Sequence, residues 1–66
     1  MKDIYIRVYT NAGFFDMKPS GLEQLKSYVL SDPHAPRFIE FPLALGGSVT
    51  YRTDMIEGWE EMDPQL

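Results

Sequence analysis

Few side chains in this sequence are of types that do chemistry near neutral pH, and they do not converge. His34 is the one group whose ordinary pKa lies in that range, and it sits in "DPHAP" between two prolines, where a solvated loop position is expected. One histidine and scattered acids supply no nucleophile with a paired base. Asp54, Glu57, Glu60 and Glu61 could form carboxylate pairs for acid–base work or for a hard cation. Their spacing suits neither task, because the calcium-loop pattern with its central glycine is absent. They read as a solvated acidic rim, or as an acidic surface that engages a basic partner with Trp59, Met55 and Met62 beside the charges. Gly46-Gly47 precedes a strand and reads as a turn, not a phosphate cradle. Without cysteine and with a single histidine, neither a disulfide nor a Cys/His zinc site can form. No catalytic residue, cofactor site or metal site is expected, and the chain reads as non-enzymatic.

Charge narrows the partners. The net charge is −4 over 66 residues, and it is unevenly placed. Residues 1–52 carry Lys2, Arg7, Lys18, Lys26, Arg37 and Arg52 against Asp3, Asp16, Glu23, Asp32 and Glu40, whereas residues 53–66 carry Asp54, Glu57, Glu60, Glu61 and Asp63 and no base. Such a balance opposes the phosphate contacts that provide most non-specific nucleic-acid affinity. The apolar runs are far shorter than a membrane span needs, and "MKDIYIRVYT" lacks the apolar stretch of an export signal. A cytoplasmic, intracellular protein is expected.

The elements that must position these residues follow from periodicity. Ile4, Ile6 and Val8 alternate with Tyr5, Arg7 and Tyr9, the pattern of a strand. "TNAG" supplies turn residues and "FFDMK" resumes an extended run, which makes a hairpin. Ser20 and Glu23 have capping-box spacing, and Leu22, Leu25 and Val29, flanked by Tyr28 and Leu30, form a helical stripe that Pro33 ends. "RFIEFPL" places Ile39, Phe41 and Leu43 on one side and Phe38 and Glu40 on the other. Pro42 cannot donate to a ladder and belongs at an edge, a bulge or a strand end. "SVTYRT" completes a second hairpin, and in "TDMIEGWEEM" a corner precedes a final extended run through Trp59. One small α+β domain over residues 1–66 is therefore expected, with the order β-β-α-β-β, an antiparallel sheet of four strands or five with the last run, and one helix on one face.

One helix cannot cover both faces. If it lies on the aliphatic side, then Tyr5, Arg7, Tyr9, Phe14 and Phe38 share the other, a larger aromatic patch than a monomer normally exposes. Three covers are open: the last strand with Trp59 curling over it, a two-fold copy of the same chain, or another protein or single-stranded nucleic acid. A chain this short buries a small share of its surface and commonly gains stability from self-association.

The stretches "VYTNAGFFDM" and "GGSVTYRTDMIEGWEEM" around a single helix resemble small acidic proteins of bacteriophages and prophages of Gram-positive bacteria. Many of those are host-takeover factors or inhibitors. The order of elements over residues 4–56 is similar to that of a short phage inhibitor of uracil-DNA glycosylase, a dimeric DNA mimic. The likeness lies in pattern and assigns no residue a role. "SVTYRTDMIEGWEE" resembles the end of an SH3-like barrel, in which a one-turn helix precedes the last strand, although the central helix departs from that fold.

These readings lead to a protein-binding module. Self-association is expected through Tyr5, Arg7, Tyr9, Phe14 and Phe38, and capture of a basic protein through Asp54, Glu57, Trp59, Glu60 and Glu61, in the manner of a phage-type inhibitor or host-takeover factor. The alternative is a regulator that stacks single-stranded bases on Tyr5, Tyr9 and Phe14, with Arg7 and Arg52 at phosphates.

Overall fold

The computed structural model describes residues 4–31 and 37–63, with the side chains of 29–31 set aside. His34 and the "DPHAP" loop lie outside the described residues, as do the side chains of Val29 and Leu30 from the expected stripe. The elements are β1 (Tyr5–Thr10), β2 (Gly13–Met17), a 3-10 turn (Pro19–Gly21), α1 (Leu22–Ser31), β3 (Phe38–Pro42), β4 (Ser48–Arg52), a second 3-10 turn (Thr53–Met55) and β5 (Ile56–Met62). The class is α+β with one helix and antiparallel strands. The expected single sheet in the order β-β-α-β-β is corrected, because the described strands form two sheets, β2-β1-β5 and β3-β4.

β1 is the centre of the larger sheet because it has a neighbour on each side. Against β2 its register runs from Ile6 opposite Met17 to Thr10 opposite Gly13. Buried Thr10 fixes the turn: its hydroxyl donates to the Gly13 carbonyl (3.1 Å) and accepts the Ala12 N–H (3.2 Å). Gly13 takes φ +131°, a value that a side chain would disfavour. On the other edge of β1, β5 pairs from Tyr5 opposite Met62 to Tyr9 opposite Gly58, and the register shifts after Tyr9.

The smaller sheet lies against the aliphatic face of the larger one. The two join at a corner, where Met17 bridges to Leu43, the Lys18 N–H donates to the Pro42 carbonyl (3.0 Å), and the Ala44 N–H donates to the Asp16 carbonyl (2.9 Å). Pro42 ends β3, one of the three places its missing N–H allowed. Ile6, Val8, Met17, Leu25, Ile39 and Phe41 form the buried core, with Phe15, Leu22, Tyr28, Val49, Tyr51, Ile56 and Trp59 packed around them. Ile4 and Leu43, which alternation places on the same sides as Ile6 and Phe41, are only half-buried and lie outside it. Phe15 ties the sheets together: its ring stacks on Tyr51 at 5.2 Å and lies 5.8 Å from Phe41. The second 3-10 turn sets buried Thr53 to exchange bonds with Arg37, giving its N–H to the Arg37 carbonyl (2.8 Å) and accepting the Arg37 N–H on Oγ1 (3.1 Å).

The helix begins later than the Ser20–Glu23 spacing predicts. Pro19 opens a 3-10 turn that contains Ser20, and α1 starts only at Leu22. This turn brings Gly21 so close to the core that a Cβ there would lie 2.6 Å from the Met17 sulfur and 3.1 Å from Pro42 Cδ. Met17 is completely buried and has little room to retreat.

Gly21→Ala should therefore lower the urea midpoint, with a loss of roughly 1–3 kcal/mol for an overpacked site. Gly58→Ala, where a Cβ meets no atom within 4 Å, should leave stability unchanged or raise it by up to about 1 kcal/mol through strand propensity. Equal midpoints for Gly21→Ala and the parent would contradict this account of the helix entry.

Candidate functional site

Residues directly opposite in an antiparallel ladder project to the same face. The register thus collects Tyr5, Arg7 and Tyr9 of β1, Phe14 and Asp16 of β2, and Gly58, Glu60 and Met62 of β5 on the side of the larger sheet away from the core. Arg7 is at the centre. Its Nε donates to Asp16 Oδ1 at 2.9 Å and its Nη2 to Oδ2 at 3.3 Å, across the strand pair. The guanidinium carbon lies 4.4 Å from the centroid of the Phe14 ring and 5.8 Å from that of Tyr5. A planar cation stacked on rings and gripped by a carboxylate is held in one orientation. The Asp16 hydrogen bond holds the Arg7 pKa above its ordinary value.

Tyr9 donates its hydroxyl to Glu60, linking β1 to β5, and its ring makes a tilted contact with Phe14 at 6.4 Å. That hydrogen bond, followed by partial desolvation and the nearby Glu60 charge, raises the tyrosine pKa. Tyr9 and Phe14 nevertheless remain 37% and 57% exposed, so the face is organised without being covered.

Beyond Tyr5 and Asp16 the face runs into a cleft of about 430 Å³ that Leu43, Ala44, Leu45 and Gly46 complete. The loop is folded on itself: the Leu43 N–H donates to the Gly47 carbonyl and the Gly46 N–H to the Leu43 carbonyl. Gly46 and Gly47 take φ +108° and +76°, as a turn of this kind requires. Leu45 stands wholly exposed on it. Sequence reasoning placed a turn at Gly46-Gly47 but missed that this loop stands beside the aromatic face. "LALGG" did carry a signal, since apolar residues in a turn forgo burial without a local reason.

The other expected site residues are divided. Phe38 does not join Tyr5, Arg7, Tyr9 and Phe14; it belongs to β3, opposite Arg52, and is exposed on the smaller sheet. The expectation failed because it assumed a single sheet. Trp59 faces inward opposite Val8 and packs on the core. The last strand therefore does not bring its ring over the aromatic face. Asp54 lies in the second 3-10 turn and accepts from Arg52 Nε at 2.6 Å. Glu57, Glu60 and Glu61 are exposed along β5, at the outer edge of its sheet.

No family model, curated protein or solved structure matches the chain. Among the described residues no helix is long and apolar enough to cross a membrane. Fold and face together describe a small two-sheet α+β domain with an exposed aromatic surface built around one clamped arginine.

Raising the pKa of an acid in the folded state stabilises the fold while that acid is protonated. The Tyr9–Glu60 contribution is therefore fully present below the ordinary tyrosine pKa and is lost as pH rises through the raised value. Phenolate absorbance should show one of the four tyrosines ionising later than a free tyrosine. In Glu60→Gln that late step should move down in pH. A titration identical to the parent's would show that Glu60 does not hold the Tyr9 proton.

Proposed function

We propose that this chain is a non-enzymatic protein-binding module that self-associates through the outer face of its three-stranded sheet and presents the acidic edge of β5 to a basic protein. The observation that carries this reading is the exposed Tyr9–Phe14–Arg7 assembly, braced by Asp16 and Glu60 yet open to solvent. Rigid aromatics beside an oriented arginine are the groups that dominate protein interfaces, because they exclude water with little loss of side-chain freedom.

A second copy suits this face for two reasons. Arg7 stands between Asp16 and Glu60 at its centre, so the carboxylates of each copy are offset by a cation in the middle of the contact. A two-fold contact must also be complementary to itself, and this surface has both a projection, Leu45, and a recess, the cleft next to it. Nucleic acid suits the site less well. The cations that would meet phosphates, Arg7 and Arg52, are already hydrogen-bonded to Asp16 and Asp54, and the adjoining strand is acidic. A phage-type inhibitor or host-takeover role would use the same two surfaces, one for assembly and one for a basic target.

Light scattering should find a dimer for the parent and a monomer for Tyr5→Glu/Tyr9→Glu, with association weakened by roughly a hundredfold or more as buried, unpaired charges enter the contact. Circular dichroism should be unchanged, because both side chains lie outside the core. A parent that stays monomeric at high concentration would end the self-association reading.

A further inference from the structure

β5 is the outer strand of its sheet, and among the described residues only β1 pairs with it. An outer strand presents a row of backbone donors and acceptors along its free side, a template on which another strand can form a ladder. Most edges of this kind are blocked by proline, a bulge or lysine. This one has neither proline nor lysine over Ile56–Met62, and although its ladder to β1 skips Glu57 at one end, it keeps a regular register from Gly58 to Met62, the part that stays open to a new strand. Its side chains select the occupant: Glu57, Glu60 and Glu61 are exposed and no base lies among them. A second β5 would set carboxylates against carboxylates, which directly opposed strands tolerate poorly. A strand bearing lysine or arginine on its outer side would find the opposite charge at Glu60, and Glu57 and Glu61 keep the rest of the edge negative.

Gly58 adds a specific contact. It lies opposite Tyr9, on the side of that ring away from Phe14, and the space where its side chain would be is open. A gap therefore leads from the free edge across Gly58 to Tyr9, with Glu60 next along the same face.

We propose that the free edge of β5 binds an extended basic segment of a partner protein by strand addition, with one lysine or arginine side chain crossing Gly58 to lie against Tyr9 and pair with Glu60. This rests on the reading of β5 as the surface offered to a basic protein, and it identifies the partner's conformation and the contact that orients it. Two copies joined through the outer face would leave the ladder side of the edge open, because a ladder grows in the plane of the sheet and not above it; the lysine contact at Tyr9 shares the outer face, so it is made by a chain whose Tyr9 is not covered by a second copy.

The probe is a capped peptide of about eight residues alternating lysine and valine, a length that matches one strand. It is compared with a peptide of the same charge in which every valine is proline. Titrated into isotopically labelled full-length protein, the lysine–valine peptide should shift the amides of residues 56–62 first and saturate, and its affinity should fall with added salt. Proline removes the donors a ladder needs, so the proline peptide should bind roughly tenfold more weakly or not at all. Gly58→Val, which fills the gap at a position with space for a side chain, should weaken the lysine–valine peptide by a similar factor of about ten and leave thermal stability intact. Equal binding of the two peptides would overturn strand addition while leaving an acidic surface for basic proteins. Failure of both peptides to bind would overturn the proposal together with the basic-partner reading beneath it. Full affinity in folded Gly58→Val would remove the lysine contact at Tyr9 and with it the orientation proposed here.

Discussion

Everything in this small domain depends on the closure of one sheet's aliphatic face by a second hairpin, and Phe15 is where that closure is made. Its ring is stacked on Tyr51 and set against Phe41, so a residue of β2 contacts both strands of the smaller sheet. Three aromatic rings provide a large apolar area from few residues, which matters in a chain with so little interior. The corner bonds between Asp16–Lys18 and Pro42–Ala44 hold the hairpin in place. Once those contacts form, Ile6, Val8, Met17, Leu25, Ile39 and Phe41 have no route to solvent. The helix contributes Leu25 to this interior and does not cover the sheet alone.

The same closure decides what remains outside. With the aliphatic face sealed, the opposite face of β2-β1-β5 has no further element among the described residues to cover it. Its residues instead stabilise one another: Asp16 grips Arg7, Arg7 rests on Phe14, and Glu60 accepts from Tyr9. Each exposed ion pair contributes little by itself. Their collective effect is on order, since Arg7, Asp16, Tyr9 and Glu60 each have a partner that fixes their direction. A surface ordered in advance loses less freedom on binding, which supports the proposed self-association through this face. The edge of β5 is different in kind: among the described residues only β1 pairs with it, and in the proposed strand addition its carboxylates would restrict which strand can join.

Much of this was legible beforehand. Alternation in "IYIRVY", the turn in "TNAG" and the paired glycines before "SVTYRT" specify two hairpins by local sterics and periodicity. Tyr5, Arg7, Tyr9 and Phe14 could be grouped because a strand's period of two and a short turn are enough to align them. Phe38 was misplaced because its own strand was read correctly but assigned to the wrong sheet, and no local pattern states which sheet a strand joins. The helix start was misjudged for a related reason: Ser20 and Glu23 have the right spacing, yet Pro19 and the close packing of Gly21 on Met17 favour a tighter turn there.

The sequence by itself determined the class, the hairpins, the short turn before the last strand, the inward and outward sets of β1 and the acidic character of β5. These depend on neighbours in the chain, on the periods of helix and strand, and on what proline and glycine permit. Tertiary structure alone decided that five strands divide into three and two, that Trp59 turns inward, and that the Leu43–Gly47 loop lies beside Tyr5 to form a cleft. Those outcomes arise from contacts between residues distant in sequence, where several pairings satisfy the same alternation and the one that buries the most apolar surface prevails.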